Sequence, residues 1–389
     1  MDDTKKKKLF LILGGLILYL SSAGLSYAAF SFLRGAPGVT GLTSPIPVGE
    51  SRFRIDLNAP KTESCPLNGK MYTAAEKNIW EKRRPIGVMI ENHEEARPQS
   101  GLSRADVVYE AVAEGGITRF MALFYCGGSA QDVMVGPVRS ARTYYLDWIS
   151  EYGKYPLYAH VGGANVSGPA NALGQIGDYG WLGGGNDLNQ FSIGFPTFWR
   201  DYERLDHPVA TEHTMYSTTD KLWEIAQKRG ITDKDQEGDS WTEAFTPWKF
   251  KEEEKGQGEV GKIEISFWSG YQEYGVVWEY DQETNLYKRA NGGSTHKDLN
   301  TDEQLTAKNV VVQFAREKGP IDELKHLLYT TIGTGKALIF QDGKVIKGTW
   351  EKEARKDRTK FSDANGKEVE FNKGEIWIEI VPAGKEVVY

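Results

Sequence analysis

Apolar and polar positions alternate with a strand period over much of this chain, and two early segments show the pattern best. Residues 84–92, RPIGVMIEN, form an apolar run that predicts a buried strand. Residues 105–126 alternate on both sides of Gly115 and Gly116, and a glycine pair between two alternating segments predicts a β-hairpin. A single helix over residues 105–114 is the alternative.

The hairpin has a predicted register. If the two glycines form the turn, Arg119 lies opposite Val112 and diagonal to Glu110 and Glu114, within reach of long side chains. Asp106 is expected on the same face. The predicted hairpin therefore brings one arginine close to several carboxylates.

The next segments alternate between strand and helix patterns. Residues 132–139 predict a strand, and Ser140 is the predicted N-cap of a helix that stops at Gly153. A strand at residues 155–163 leads into a long irregular stretch up to residue 200, which is typical of a functional or mobile segment. Its aromatic residues are expected to form a small local core, with stacking on sugar rings as the alternative: Trp181, Phe191, Phe195, Phe198 and Trp199.

From residue 246 onward, alternating segments break at Asp-Gly, Asn-Gly or Glu-Thr-Asn turns, which predicts antiparallel β-structure. Residues 218–230 before this boundary predict one more helix. The sequence therefore predicts an α+β fold. A mixed α/β N-terminal domain covers residues 66–245, and a β-rich C-terminal domain covers residues 246–389.

The N-terminal segment predicts how the chain is anchored. Four lysines precede residues 9–33, which carry no charge and can span a hydrocarbon core of about 30 Å. The lysines are expected to stay in the cytoplasm, so residues 1–8 form a cytoplasmic tail and residues 34–65 a linker outside the membrane. A signal peptide cleaved after the small residues at 26–28 is the alternative.

Composition and charge mainly exclude classes of function. A net charge of −7 without a basic stripe argues against a nucleic-acid partner. Cys65 and Cys126 are too few for a disulfide framework, and the pattern leaves open whether they form one bridge. His207 and His213 stand near carboxylates, but loop histidines are more often hydrogen-bonding groups. No metal site and no cofactor are therefore expected.

Several long stretches resemble the YerB-like family of bacterial lipoproteins, which has an N-terminal and a C-terminal domain of unknown function. The resemblance covers roughly residues 66–385. The family's lipoproteins need a lipobox cysteine, and Leu25 stands at that position here, so the apolar segment itself is the expected anchor. The stretches that carry the resemblance are residues 84–125, 135–148, 212–222, 307–314, 333–352 and 358–382.

A weaker resemblance concerns the arginines. Residues 117–143 are similar in order and spacing to the core of LytR-CpsA-Psr enzymes, which transfer envelope polymers from a polyprenyl pyrophosphate carrier to peptidoglycan. The resemblance implies that Arg119 and Arg139 hold the pyrophosphate. Phe120 and Ser140 stand where that family has aspartates, which argues against metal binding and transfer.

Arg139 and Arg142 flank the predicted helix start, where each cation costs about 0.3–1 kcal/mol unless something offsets it. A bound anion would do so, because guanidinium groups match phosphate and carboxylate geometry. The alternative is that carboxylates of the protein pair with the arginines. The candidate anion-binding residues are Arg119, Arg139, Ser140 and Arg142, with Glu110, Glu114 and Asp106 as supporting polar residues.

These features predict a single-pass cell-membrane protein whose bulk lies outside the cytoplasm, in the bacterial envelope. A binding or scaffold role is expected, and a phosphotransferase acting on a polyprenyl-pyrophosphate-linked polymer is the alternative. The expected contacts are the membrane, through residues 9–33, and a cell-wall or lipid-linked polymer.

The anchor can be tested directly. We expect the full chain with a C-terminal tag to remain in the membrane fraction with an intact mass, because the uncharged segment is long enough to span the bilayer. Fractionation followed by mass spectrometry measures this. A soluble product that begins at Ala29 would contradict the anchor.

Overall fold

The computed structural model describes Asp56, residues 58–254, Gly256 and residues 258–389. The predicted tail, the predicted anchor and most of the predicted linker lie outside the described residues. Within the described part of the chain, no helix is both long and apolar enough to cross a bilayer.

The α-helices are short, and those of the described residues all end before residue 229. The first of them starts with a capping box, in which Thr73 and Glu76 each bond the other's backbone N–H. The helices are α1 (Ala74–Trp80), α2 (Thr143–Ile149), α3 (Ala172–Asp178), α4 (Trp181–Gly184), α5 (Gln190–Ile193) and α6 (Thr219–Lys228).

Strands make up most of the regular structure, which confirms the α+β fold class. The strands are β1 (Lys61–Ser64), β2 (Met71–Thr73), β3 (Ile86–Glu91), β4 (Val107–Glu114), β5 (Ile117–Phe124), β6 (Met134–Val135), β7 (Leu157–His160), β8 (Asp187–Asn189), β9 (Trp199–Arg200), β10 (Met215–Thr218), β11 (Phe250–Lys251), β12 (Lys262–Ile265), β13 (Val276–Asp281), β14 (Leu286–Asn291), β15 (Ser294–Thr295), β16 (Thr306–Ala307), β17 (Asn309–Ala315), β18 (Glu317–Lys318), β19 (Leu328–Tyr329), β20 (Gly333–Gln341), β21 (Lys344–Lys352), β22 (Lys360–Asp363), β23 (Phe371–Asn372), β24 (Ile376–Pro382) and β25 (Val387–Val388).

Ten strands form the central sheet, in the order β22-β21-β20-β17-β24-β4-β5-β3-β7-β8. β24 pairs in parallel with β17 on one side and with β4 on the other. Strands from both predicted domains therefore share one sheet, and the described residues belong to one compact unit. The boundary between residues 245 and 246 stays a prediction.

A second sheet, in the order β15-β14-β13-β12-β25 with β16 paired to β14, packs against the central sheet. Trp278 of β13 meets Trp377 of β24 edge to face, with ring centroids 5.3 Å apart. Trp278 Nε1 also donates a hydrogen bond to Glu379 Oε1 of β24 at 2.9 Å. The strand β24 thus holds both sheets together.

The predicted hairpin is present as β4 and β5. Gly115 and Gly116 have φ angles of 56° and 85°, a left-handed conformation that glycine adopts without steric cost. The helix alternative for residues 105–114 is therefore wrong.

The predicted register of this hairpin is wrong by one residue over most of its length. Arg119 lies opposite Ala111, not Val112. The ladder passes from Val112 directly to Glu114, which leaves Ala113 as the extra residue of a β-bulge. Because strand side chains alternate between faces, the bulge changes the face on which the residues beyond it lie.

The bulge sends two glutamates into different surroundings. Glu110 meets Thr118 and Asn92, with Thr118 Oγ1 2.6 Å from Glu110 Oε1. Glu114 instead meets Arg119 and Arg142. The single cluster expected from the sequence is therefore two clusters.

Cys65 and Cys126 form a disulfide bond, with their sulfur atoms 2.13 Å apart, so the pairing that the sequence left open is present. The bridge ties the segment after β1 to the end of β5. The described chain has no free cysteine.

Arg289 of β14 occupies the interface between the two sheets and is completely buried. It forms an ion pair with Glu110 of the central sheet. Its guanidinium carbon lies 4.7 Å from the ring centroid of Trp377 and 5.5 Å from that of Phe120. Burial raises the pKa of the neighbouring Glu379 well above its usual value, as does the negative charge of Glu110, and both effects favour the neutral form of Glu379.

We expect Arg289→Met to lower the free energy of unfolding by about 3–5 kcal/mol, because Glu110 would be left as an unpaired buried charge. Adding Glu110→Gln to this variant should restore part of the loss. Lys288→Met is the matched control, since Lys288 is partly exposed and pairs with Asp281 at the surface, and it should change stability by less than about 1 kcal/mol. Urea denaturation measures all three. Equal losses in the arginine and lysine variants would contradict the assigned role of Arg289.

Candidate functional site

An open cleft of about 560 Å³ lies beside the three-stranded sheet β6-β10-β9. It is built where six segments of the chain meet, including the residues directly after β7, helix α5 and strand β10. The lining residues are Val138, Arg139, Ser140, Val161, Gly162, Gly163, Asn165, Leu173, Phe191, Arg200, Thr211, Glu212 and Met215.

The segment that carries Arg139 and Ser140 is held by backbone hydrogen bonds on both sides. Val138 N donates to Met215 O at 2.6 Å, and Arg139 N donates to Met89 O at 2.9 Å. On the other side, Val161 N donates to Arg139 O at 3.0 Å. These bonds fix the direction of the two side chains at the wall of the cleft.

A glycine turn forms the adjoining wall, since Ala141 N donates to Gly162 O at 3.0 Å. Gly162 has a φ of +57°, and a Cβ atom there would lie 2.9 Å from the ring of Phe191, so a larger residue would displace that ring. The buried His160 fixes the turn, because its Nδ1 lies 2.6 Å from Gly162 O and its Nε2 lies 2.7 Å from Asp187 Oδ1. Phe191 itself remains 77% exposed.

Arg139 is only partly engaged by the protein. Its Nε donates to Glu91 Oε1 at 3.0 Å, and no other side-chain bond of Arg139 is found among the described residues. Glu91 is buried at the end of β3, and its other oxygen accepts from His213 Nδ1 at 2.8 Å. That hydrogen bond raises the pKa of His213.

Arg119 and Arg142 do not line the cleft. Both bind Glu114, with N–O distances of 2.8 Å and 2.6 Å, and both are nearly buried. Arg119 Nη1 also donates to the backbone oxygen of Ser140 at 2.9 Å. The four predicted anion-binding residues therefore separate: Arg139 and Ser140 reach the cleft, and the other two lie behind its wall.

The prediction that Ser140 caps the helix is wrong. Helix α2 begins at Thr143, and Arg142 occupies the N-cap position without a side-chain cap. Glu114 supplies the negative charge that Arg142 requires at this helix start, whereas Arg139 pairs with Glu91.

Arg119 and Arg142 change the pKa of the Glu114 carboxyl group. Burial would raise the pKa of Glu114, but the charges of Arg119 and Arg142 and their hydrogen bonds lower it to about 2. The carboxylate is thus ionised at all but strongly acid pH.

The other two supporting residues lie elsewhere. Glu110 belongs to the Arg289 interface described above. Asp106 lies beside the disulfide, where its carboxylate accepts N–H bonds from Tyr125, Cys126 and Gly127 at 2.7–3.0 Å. Burial raises the pKa of Asp106 to about 6 in spite of these bonds. It takes no part in the arginine cluster.

Sequence reasoning missed Arg200 and Glu91. Arg200 directly follows the aromatic run FPTFW, and the interpretation of that segment from the sequence concerned only its aromatic residues. Glu91 could have been noticed, because it ends a buried strand, where a carboxylate needs a partner. The expected aromatic core is only partly present, since Trp181 and Phe198 are buried but Phe191 and Phe195 are exposed.

We expect Glu114→Gln to lower the free energy of unfolding at pH 7 by about 3 kcal/mol, because two buried arginines lose their charged partner. The pKa of Glu114 is lowered on folding, so its contribution is complete above about pH 4.5 and is lost as the pH falls toward 2. The difference between parent and variant should therefore shrink over that interval. Urea denaturation at several pH values measures it.

Glu351→Gln is the control, because Glu351 is exposed on β21. It should follow the parent closely at each pH. A parent–Glu114→Gln difference that stays constant from pH 7 to pH 2 would contradict the ion-pair assignment.

Two domain models of one protein family match this chain. Residues 72–232 match the family model described as the N-terminal domain of a protein of unknown function (DUF3048), and residues 263–378 match its C-terminal domain. The chain is 30% identical over 324 residues to "Putative lipoprotein YerB" of Bacillus subtilis (strain 168), covering 83% of this chain and 87% of that protein.

The crystal structure of YerB protein from Bacillus subtilis is also similar. It aligns with a TM-score of 0.66 at 27% identity, covering 84% of this chain and all of that one. The two domain matches, the sequence relative and the structural relative agree with the resemblance seen in the sequence, and the chain belongs to the YerB-like DUF3048 family.

Proposed function

We propose that the protein is a membrane-tethered binding protein of the cell envelope whose cleft takes an anionic ligand with a flat or apolar part. The observation that carries the proposal is the open cleft in which Arg139 and Arg200 lie together beside an exposed phenylalanine. A phosphate-bearing saccharide of the envelope has this combination of groups.

The charge of the cleft favours an anion. Arg139 and Arg200 contribute two positive charges, and Glu212 is the one carboxylate among the described lining residues. Among the residues that the structure describes, Arg139 uses only its Nε, which donates to Glu91, so its two terminal nitrogens are available to a ligand. Guanidinium groups of this kind bind phosphate or carboxylate oxygens with two parallel hydrogen bonds.

The apolar side of the cleft favours a ring. Phe191 lies above the Gly162 turn with most of its surface exposed, although exposing a phenylalanine is unfavourable without a partner. Aromatic side chains stack on sugar and isoprenoid surfaces through this kind of contact. Asn165 adds a polar group at the same wall.

The tether is proposed to be residues 9–33. The relative from Bacillus subtilis is titled a lipoprotein, but both cysteines of this sequence, Cys65 and Cys126, are joined to each other. Neither sulfur is then available for a lipid. The uncharged segment can anchor the chain in the membrane instead of a lipid.

The structure offers less support for the transferase alternative. That alternative needs Arg119 and Arg139 on one pyrophosphate, whereas Arg119 is 2% exposed at its side chain and bound to Glu114. Binding without transfer is the function that the geometry favours.

Thermal-shift measurements with farnesyl pyrophosphate, UDP-N-acetylglucosamine and inorganic pyrophosphate test the proposal. We expect at least one of them to raise the melting temperature of the parent protein in a saturable way. Arg139→Gln and Arg200→Gln should each weaken this stabilisation at least about tenfold in ligand concentration, because one ionic hydrogen-bond pair is lost.

Arg104→Gln is the matched control, since Arg104 lines a different cleft near β24. It should bind like the parent. Saturable binding that is unchanged in Arg139→Gln and Arg200→Gln, or no stabilisation of the parent by any of the three compounds, would contradict the proposed site.

A further inference from the structure

His93, Glu95 and His213 form a cluster next to the cleft that the proposed anion binding does not use. One ligand atom from each of the three residues lies within 4.8 Å of the other two. The two imidazole rings are stacked, with centroids 4.8 Å apart. The Nε2 atom of His213 lies 3.6 Å from Glu95 Oε2.

The backbone places these three side chains on two short turns. His93 precedes the turn at Glu94–Ala96, and its Nδ1 accepts a hydrogen bond from Glu95 N at 3.3 Å. His213 ends the turn at Thr211–His213, directly before β10. Both turns are attached to strands, so the two histidines are held in place without a ligand.

A buried carboxylate orients His213. Glu91 accepts the hydrogen bond of His213 Nδ1 at 2.8 Å, which leaves His213 Nε2 directed toward Glu95. A histidine that binds a metal through one nitrogen commonly donates the other N–H to a carboxylate in this way. The arrangement therefore supplies both a set of ligands and the group that orients one of them.

We propose that His93, Glu95 and His213 bind a divalent transition-metal ion, for which zinc is the best match. Two imidazole nitrogens and one carboxylate oxygen are a common ligand set for zinc, with a fourth position left to water. Glu95 is 54% exposed at its side chain, so the ion can enter from solvent and the carboxylate can turn toward it. Small movements suffice to bring the ligand atoms from their present spacing to about 2.0–2.2 Å from an ion.

The other clusters of possible ligands in the described chain have different partners. Cys65 and Cys126 are joined in the disulfide beside Asp106. The group of Asp235, Glu237 and Asp239 surrounds the amino group of Lys154, with distances of 2.7–2.8 Å. Of these three groups of described residues, only the histidine cluster combines nitrogen ligands with an accessible carboxylate.

This site differs from the pairing considered from the sequence alone. His207 bonds Asp206 at 2.8 Å, and it is not a member of the cluster. His213 meets His93, which is far away in the sequence. The inference stands on these contacts and does not depend on the anion-binding proposal.

Titration of tag-free, chelator-stripped protein with ZnCl₂ in an isothermal calorimeter at neutral pH tests the inference. We expect one ion per chain to bind saturably. Titration with CoCl₂ should produce the visible absorption bands of cobalt in a site of low coordination number, which exposed carboxylates do not produce.

Glu95→Gln is the decisive variant, because Glu95 is exposed and its loss should not affect folding. We expect it to weaken zinc binding by at least about tenfold. Glu94→Gln, the exposed neighbour in the same turn, is the matched control and should bind like the parent. His93→Ala should also weaken binding and abolish the cobalt bands.

The inference is overturned if the parent takes up no zinc, or if Glu95→Gln and His93→Ala bind zinc as tightly as Glu94→Gln. If removal of zinc with a chelator leaves the rise in melting temperature with pyrophosphate unchanged, the two sites act separately.

Discussion

The buried pair of Arg289 and Glu110 is the interaction on which the arrangement of the two sheets depends. Arg289 belongs to the smaller sheet and Glu110 to the central one, and both side chains are fully buried. An ion pair in such a place is costly to desolvate, and it is retained only where other contacts surround it. The rings of Phe120, Trp278 and Trp377 provide those contacts, and the raised pKa of Glu379 disfavours a second negative charge there. The interface therefore requires one relative position of the sheets, because any other would leave Arg289 or Glu110 unpaired.

The β-bulge at Ala113 has an equally specific effect. Without it, Glu110 and Glu114 would lie on one face of β4, and they would compete for the same arginines. Because of the bulge, Glu110 lies at the sheet interface and Glu114 lies at the helix start. There Glu114 binds Arg119 and Arg142. Arg139 is thus left as the arginine of the predicted set that lines the cleft. A single inserted residue thus separates the arginines that bind Glu114 from Arg139, which is available to a ligand.

Much of the fold was predictable from local patterns, and the site was predictable only in part. The alternation around Gly115 and Gly116 specified a hairpin, and the turn signals after residue 246 specified β-structure, since both depend on neighbouring residues. The bulge was not predictable, because it depends on packing against other strands. Arg139 and Ser140 were identified through a charge at a helix start, although that helix begins two residues later than expected. His93 and His213 were not connected, because their proximity results from pairing between segments more than a hundred residues apart.

The position of β24 has a consequence for how the protein is made. This strand follows β4 by more than 250 residues in the sequence, yet it lies beside β4 in the middle of the central sheet, between β17 and β4. Until it arrives, β4 presents an open edge with unpaired backbone groups, and such edges associate readily with other chains. Folding of the sheet cannot be completed by the earlier half of the chain alone, and the pairing of β4 with β24 closes a very long loop. The central sheet of the nascent protein therefore stays incomplete until β24 has been synthesised and has paired with β4.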